Sequence, residues 1–150
     1  MEKYDIAIKI MNKRFGRDNP ISIATMDGNR PSVRVVDGYY EDGAFYVVSY
    51  TLSNKMKQIK ANPNVAVCGL EWFSGHGIGE NLGWVRDESN AAIMTKLREA
   101  FTSWYSSGHV NEDDKNTCLL RVRLTDGVII DHEKKYGEWQ YQVDFINRKA

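Results

Sequence analysis

The chain has 150 residues, 42% hydrophobic and 27% charged, a balance that fits one globular domain over 1–150 rather than a disordered tail. Twenty basic side chains meet twenty acidic ones, and that neutrality speaks against a nucleic-acid binder, whose footprint is a basic surplus. No apolar run approaches the roughly 20 residues that cross a bilayer, and Met1-Glu2-Lys3-Tyr4-Asp5 lacks the apolar core of a secretory signal, so a cytoplasmic protein without a membrane partner is expected.

Residues 4–15 set Ile6, Ile10 and Met11 on one side among lysines, a short amphipathic helix that Gly16 can stop. Residues 21–25 alternate and run into Asp27-Gly28, a turn dipeptide. Residues 32–36 form a second strand towards Tyr39-Tyr40. After Glu41-Asp42-Gly43, residues 44–50 are the clearest strand, so an antiparallel meander is predicted. The period then changes: Met56, Ile59 and Lys60 fall at helical spacing over 54–61, with Ser53 as N-cap and Asn62-Pro63 as stop. Residues 65–73 read as a strand. Residues 74–85 hold four glycines, the mark of a bulged strand or of a ligand or second backbone close by. A helix follows over 88–105, with Asp87 or Ser89 as cap and Ile93, Leu97, Phe101 and Trp104 on one face. Residues 118–124 alternate as a strand, Asp126-Gly127 turns it into 128–130, and 138–145 add a last strand. The result is mainly β with about three helices, an α+β chain whose six or seven antiparallel strands favour a closed or partly closed barrel.

Cys68 and Cys118 each sit in an apolar strand-like run and form no CxxC pair, so both are expected buried and reduced. His76, His109 and His132 show no zinc spacing, and no metal is expected. Residues 75–83 lack the spacing and context of a dinucleotide fingerprint.

The chemistry gathers at Ser53-Asn54-Lys55. A helix start presents unpaired N–H groups and partial positive charge, and with a hydroxyl and an ammonium it suits a phosphate. The plainer alternative is a capping Ser53 and a solvated Lys55. Arg34, between Val33 and Val35, reads as an outward residue of an alternating strand. Its strand neighbours the one leading into Ser53 in a meander, so it can share the same anion; an Arg fork and a Lys charge complement each other on phosphate.

Pro31-Ser32-Val33-Arg34-Val35-Val36, Phe45-Tyr46-Val47-Val48-Ser49-Tyr50, Ser53-Asn54-Lys55 and Asn62-Pro63-Asn64-Val65-Ala66-Val67 follow in that order. Together they resemble the pyridoxamine 5′-phosphate oxidase-related FMN-binding split-barrel family, most of all its short general-stress-protein branch. The likeness runs from Ile21 to about Val67 and more loosely through the glycine-rich strand and the helix after it. It implies an antiparallel split β-barrel homodimer with two FMN sites at the dimer interface. By position, it implies that Arg34, Val35 and Val36 line the flavin ring and ribityl chain, and that Val48 and Ser49 contact the isoalloxazine. Ser53, Asn54 and Lys55 then hold the phosphate, His76 is a flavin-edge or substrate contact, and Trp139 with Tyr141 covers the partner's flavin. Members that oxidise pyridoxamine phosphate carry a C-terminal arginine-rich motif that residues 144–150 lack, so the resemblance implies an FMN-dependent oxidoreductase with an unidentified small-molecule substrate. Two other functions fit the same residues: a stress protein that stores or senses FMN without turnover, and a plain interaction domain whose Trp72, Trp84 and Trp104 serve core and dimer.

Overall fold

The computed structural model describes residues 1–150. Helix α1 (Lys3–Phe15) leads into β1 (Asn19–Asp27), β2 (Arg30–Glu41) and β3 (Ala44–Tyr50); α2 (Asn54–Ala61), β4 (Asn64–Gly69) and β5 (Phe73–Trp84) follow. A 3₁₀ turn at Glu88–Asn90, α3 (Ala91–Ala100), β6 (Thr117–Ile130) and β7 (Gln140–Asp144) complete the chain. The strands are all antiparallel, ordered β3-β2-β1-β4-β5-β6-β7, and β3 also pairs with β6, so β1–β6 close into a barrel and β7 extends the far half of β6. Closure removes the free edges of a sheet this long. This is the α+β split barrel that the sequence implied.

Alternation decides what fills it. Ile21, Ile23 and Thr25 of β1 and Phe45 and Val47 of β3 point inward and are buried. The two helices close the ends. Phe15, the last residue of α1, sets its ring 5.5 Å from Phe45 and 6.5 Å from Phe73. Met56 and Ile59 of α2 enter the same 22-residue core. No helix is long and apolar enough to cross a membrane.

Residues 65–73 are not one strand, since β4 ends at Gly69 and β5 starts at Phe73, and three further expectations need correction. Asp126-Gly127 is no turn, because β6 runs unbroken from Thr117 to Ile130. The ladder with β5 instead skips a residue: His76 faces Asp126 and Gly77 faces Leu124, leaving Thr125 as a bulge. Second, the regular part of α3 ends at Ala100 rather than Tyr105. Just beyond, the Thr102 hydroxyl back-bonds to the carbonyls of Arg98 and Glu99, a competing interaction that loosens a helix. Phe101 still packs with Met94, Leu97, Val85 and Leu119 in a second cluster outside the barrel. Third, Cys68 is exposed, since it lies on the outer side of β4 opposite Ser74, whereas Cys118 is buried as expected. The glycine-rich stretch is the bulged strand: Gly75, Gly77 and Gly79 take the inward positions, where a Cβ at Gly77 would lie 2.7 Å from Val122 Cγ1 and 2.8 Å from the Arg123 carbonyl.

The loop after α3 is tied down by Glu112. Its carboxylate accepts from Arg98 Nε at 2.9 Å, Arg98 Nη2 at 3.1 Å and the Tyr105 hydroxyl. Burial opposes its charge, but the bonds from Arg98 and Tyr105 and the Arg98 charge outweigh burial and hold the carboxyl below its ordinary 4.5. A carboxylate with a depressed folded pKa contributes stability above its unfolded value and loses it as pH falls through the folded one. Glu112→Gln is therefore expected to lower stability by about 1–2 kcal/mol near neutral pH and to flatten the decline below pH 4.5, as denaturant melts across pH will read.

Candidate functional site

The β1–β2 hairpin sets Arg34 opposite Ile23. Because Ile23 faces inward, so does Arg34, together with Val36, while Val33 and Val35 face out at 70% and 68% exposure. The outward Arg34 of the alternating-strand reading is thus corrected. Its route to the Ser53 region also differs: β2 pairs with β3 only from Tyr39 to Glu41, so strand neighbourhood does not bring Arg34 there. Helix α2 does, by crossing that end of the barrel and presenting Gln58. Arg34 Nη1 donates to Thr25 Oγ1 at 2.7 Å and to the Ile23 and Ser32 carbonyls at 3.2 and 3.3 Å. Arg34 Nη2 donates to Gln58 Oε1 at 3.2 Å, and the Thr25 hydroxyl donates to the same oxygen at 2.5 Å.

Lys55 starts α2 on the same side. Ser53 caps the helix, its Oγ accepting from the Met56 amide at 3.3 Å, which leaves the amides of Asn54 and Lys55 as the free donors of the first turn. Half-buried Lys55 makes no hydrogen bond or ion pair; the nine ion pairs of the protein involve neither Lys55 nor Arg34. Burial, and then the charge of Arg34, push the Lys55 pKa down, with the Cys118 thiol opposing weakly. Cys118 is the register partner of Ser49, whose buried Oγ has no hydrogen-bond partner. Two neighbouring cations without a carboxylate, free helix-start amides and an orphaned hydroxyl make an arrangement that a phosphate monoester fits.

Arg34, Ser49, Ser53, Asn54 and Lys55 thus lie at one end of the barrel. Val35 and Val36, though adjacent, divide between its outer and inner sides. Val48 packs under α3 in the second cluster. His76 stands on the outer sheet face, Nδ1 2.9 Å from Asp126 Oδ2, and Asp126 Oδ1 accepts from Thr125 Oγ1 at 2.9 Å. That pair lines an open groove of about 750 Å³ with Ala24, Val33, Cys68 and Ser74. Trp139, 56% exposed, sits at the opposite end of β6, its carbonyl accepting from the Asp131 amide. Within one chain His76 and Trp139 do not meet Lys55.

Thr25, Gln58 and Asp126 escaped the sequence reading. Gln58 was legible, since it lies one helical turn past Lys55 on the same face. Thr25 was too, as the polar member of an inward series with Ile21 and Ile23. Asp126 was hidden by the apparent turn.

A closed antiparallel split barrel, plugged by two helices and carrying a cationic cleft at the start of α2, is the class of protein these features define. Residues 10–130 match the family described as Pyridoxamine 5′-phosphate oxidase, and the chain belongs to that family. Among solved structures, general stress protein 26 from Bacillus anthracis is similar at 17% identity and a TM-score of 0.62, covering 81% of this chain and 91% of its own. An FAD-binding protein from Mesorhizobium loti is similar at 16% identity and a TM-score of 0.62, over 79% and 90%. An F420 reductase is similar at 19% identity and a TM-score of 0.58, over 77% and 94%. At these identities the likeness is one of fold. No curated protein matches the chain in sequence.

Proposed function

We propose that the protein binds FMN and works in the cytoplasm as a homodimeric flavin-dependent oxidoreductase on a small molecule. The observation that carries this reading is the uncompensated pair Arg34 and Lys55 beside the free amides of α2. Support also comes from family membership and from neighbours of the same fold, one named FAD-binding and one named a reductase. When bound, FMN supplies the hydride and electron chemistry. The chain's part is to hold the phosphate with Lys55, the first amides of α2 and Ser53, to keep the fixed charge of Arg34 beside it, and to meet the flavin with Val35 from the outer side, Val36 and Ser49 from the inner side, and the backbone of Val48, whose side chain packs under α3. Since His76 and Trp139 lie away from Lys55 in one chain, they reach a flavin only across a subunit interface. The exposed Val33 and Val35 and the groove on the adjoining sheet offer the face for it.

An absorption spectrum with and without added FMN tests the reading. Flavin bands that sharpen and shift on addition are expected; a colourless protein that leaves the FMN spectrum unchanged would sink it. Sedimentation is expected to give a dimer at micromolar concentration, with Val35→Asp shifting it to monomer and releasing flavin together. A passive flavin store is the second reading, since storage needs only the same cationic clamp of Arg34 and Lys55. Steady oxidation of a nicotinamide donor by the loaded protein would exclude it.

A further inference from the structure

Every acceptor that holds Arg34 is neutral: two backbone carbonyls, the Thr25 hydroxyl and the Gln58 side-chain amide. Arg14, Arg17, Arg30 and Arg148 also lack a carboxylate, but other cations of the fold are paired with one. Arg98 is gripped by Glu112, Arg121 and Arg123 by Glu80, and Lys96 by Glu41. Because Arg34 can only donate, it dictates the roles of Thr25 and Gln58. Thr25, only 1% exposed, has one hydroxyl proton and gives it to Gln58 Oε1, so its lone pair is free to accept from Arg34 Nη1. Gln58 Oε1 accepts from both Thr25 and Arg34 Nη2, which fixes the amide with its NH₂ turned away from the guanidinium. Arg34 Nε and one Nη2 hydrogen find no acceptor in the chain. The side chain is therefore locked in place without its charge being cancelled.

We propose that Thr25 and Gln58 are positioning residues that fix Arg34 through neutral acceptors, so that its full charge is kept for the phosphate monoester of the ligand. The inference rests on the FMN-binding reading for the identity of that ligand. It makes the neutrality of position 58 the point, not merely its hydrogen bonds. A glutamate there has the same shape, accepts the same two bonds and pairs with Arg34 more strongly. A purely structural role would tolerate it or gain from it. A role in anion recognition would not, because a carboxylate at hydrogen-bond distance from the guanidinium offsets the charge the phosphate needs.

The test is calorimetric titration of wild type, Gln58→Glu and Thr25→Ser with FMN, riboflavin and inorganic phosphate, with a thermal melt of each protein. For Gln58→Glu, FMN affinity is expected to fall roughly tenfold or more and riboflavin affinity to stay within about twofold, at an unchanged or higher melting temperature. Thr25→Ser keeps the hydroxyl and is expected to keep the preference for FMN over riboflavin. A wild type that prefers FMN, with a Gln58→Glu protein of unchanged preference, would overturn the inference and leave the FMN reading standing. Phosphate binding without FMN binding would overturn the FMN reading, and the effect of Gln58→Glu on phosphate would then decide the inference. If wild type binds neither, both fall.

Discussion

Replacing Lys55 with methionine is expected to weaken FMN binding about tenfold to a hundredfold, as befits one charge-assisted hydrogen bond, while raising the stability of the flavin-free protein. Lys55→Met keeps the apolar stem that packs at the start of α2 and removes only the ammonium. That ammonium is half-buried beside Arg34 and has no carboxylate, so without an anion its charge is a cost to the fold. The direction of its pKa, lowered from the ordinary 10.5 by burial and then by Arg34, expresses the same cost. A lysine with a lower pKa in the folded state binds fewer protons folded than unfolded, so stability rises with pH between the two values. Lys55→Met should abolish that rise. Flavin titrations should show riboflavin affinity nearly unchanged, because the lost contact is to the phosphate. An unaltered FMN affinity, or a melting temperature that falls, would place Lys55 among solvated surface lysines.

The contrast between fold and site shows what a linear pattern can carry. Strand alternation in β1 and β3, the cap at Ser53 and the stop at Asn62-Pro63 are local signals, and they reappear in the structure at those places. Position 126 failed for a non-local reason. Asp-Gly reads as a turn whenever only neighbours in sequence are weighed, but here Gly127 is set by the ring of Phe73 arriving from β5. Arg34 failed in orientation because an arginine between two valines has outward polarity by default. Its register opposite Ile23 turns it inward, and Gln58, supplied by a helix that the strand pattern does not mention, receives it there. Cys68 looked like core because its neighbours are apolar, yet it shares the outer face with Ala66, Ser74 and His76. The cationic pair itself was legible, since Lys55 lies at a recognisable helix start. Its lack of any acidic partner was not, because that is a property of the space around it.

The second large effect concerns Gly127. A Cβ there would lie 2.4 Å from Phe73 Cε1, 2.7 Å from Phe73 Cζ and 3.0 Å from the Ser74 carbonyl. Phe73 is itself buried, its ring 6.5 Å from Phe15 and 6.1 Å from Phe45, so it has nowhere to retreat. Gly127→Ala is therefore expected to cost about 2–3 kcal/mol by overpacking and to lower the melting temperature by roughly 4–10 °C. Gly28→Ala is the control for backbone freedom alone: its φ is +63° and nothing lies within 4 Å of the added methyl, so its cost of about 1 kcal/mol comes from the left-handed backbone. Phe73→Leu separates the two mechanisms. A smaller side chain relieves the contact at Gly127, so Phe73→Leu with Gly127→Ala should destabilise by less than the sum of the singles. Additive losses would show that the strain lies in the β5–β6 backbone instead. The consequence reaches the outer face, since Gly127 follows the Thr125 bulge that turns Asp126 outward onto His76. A barrel that must shift β6 to admit a methyl also loosens that pair, and the His76 ring signals should broaden in Gly127→Ala and keep their wild-type width in Gly28→Ala.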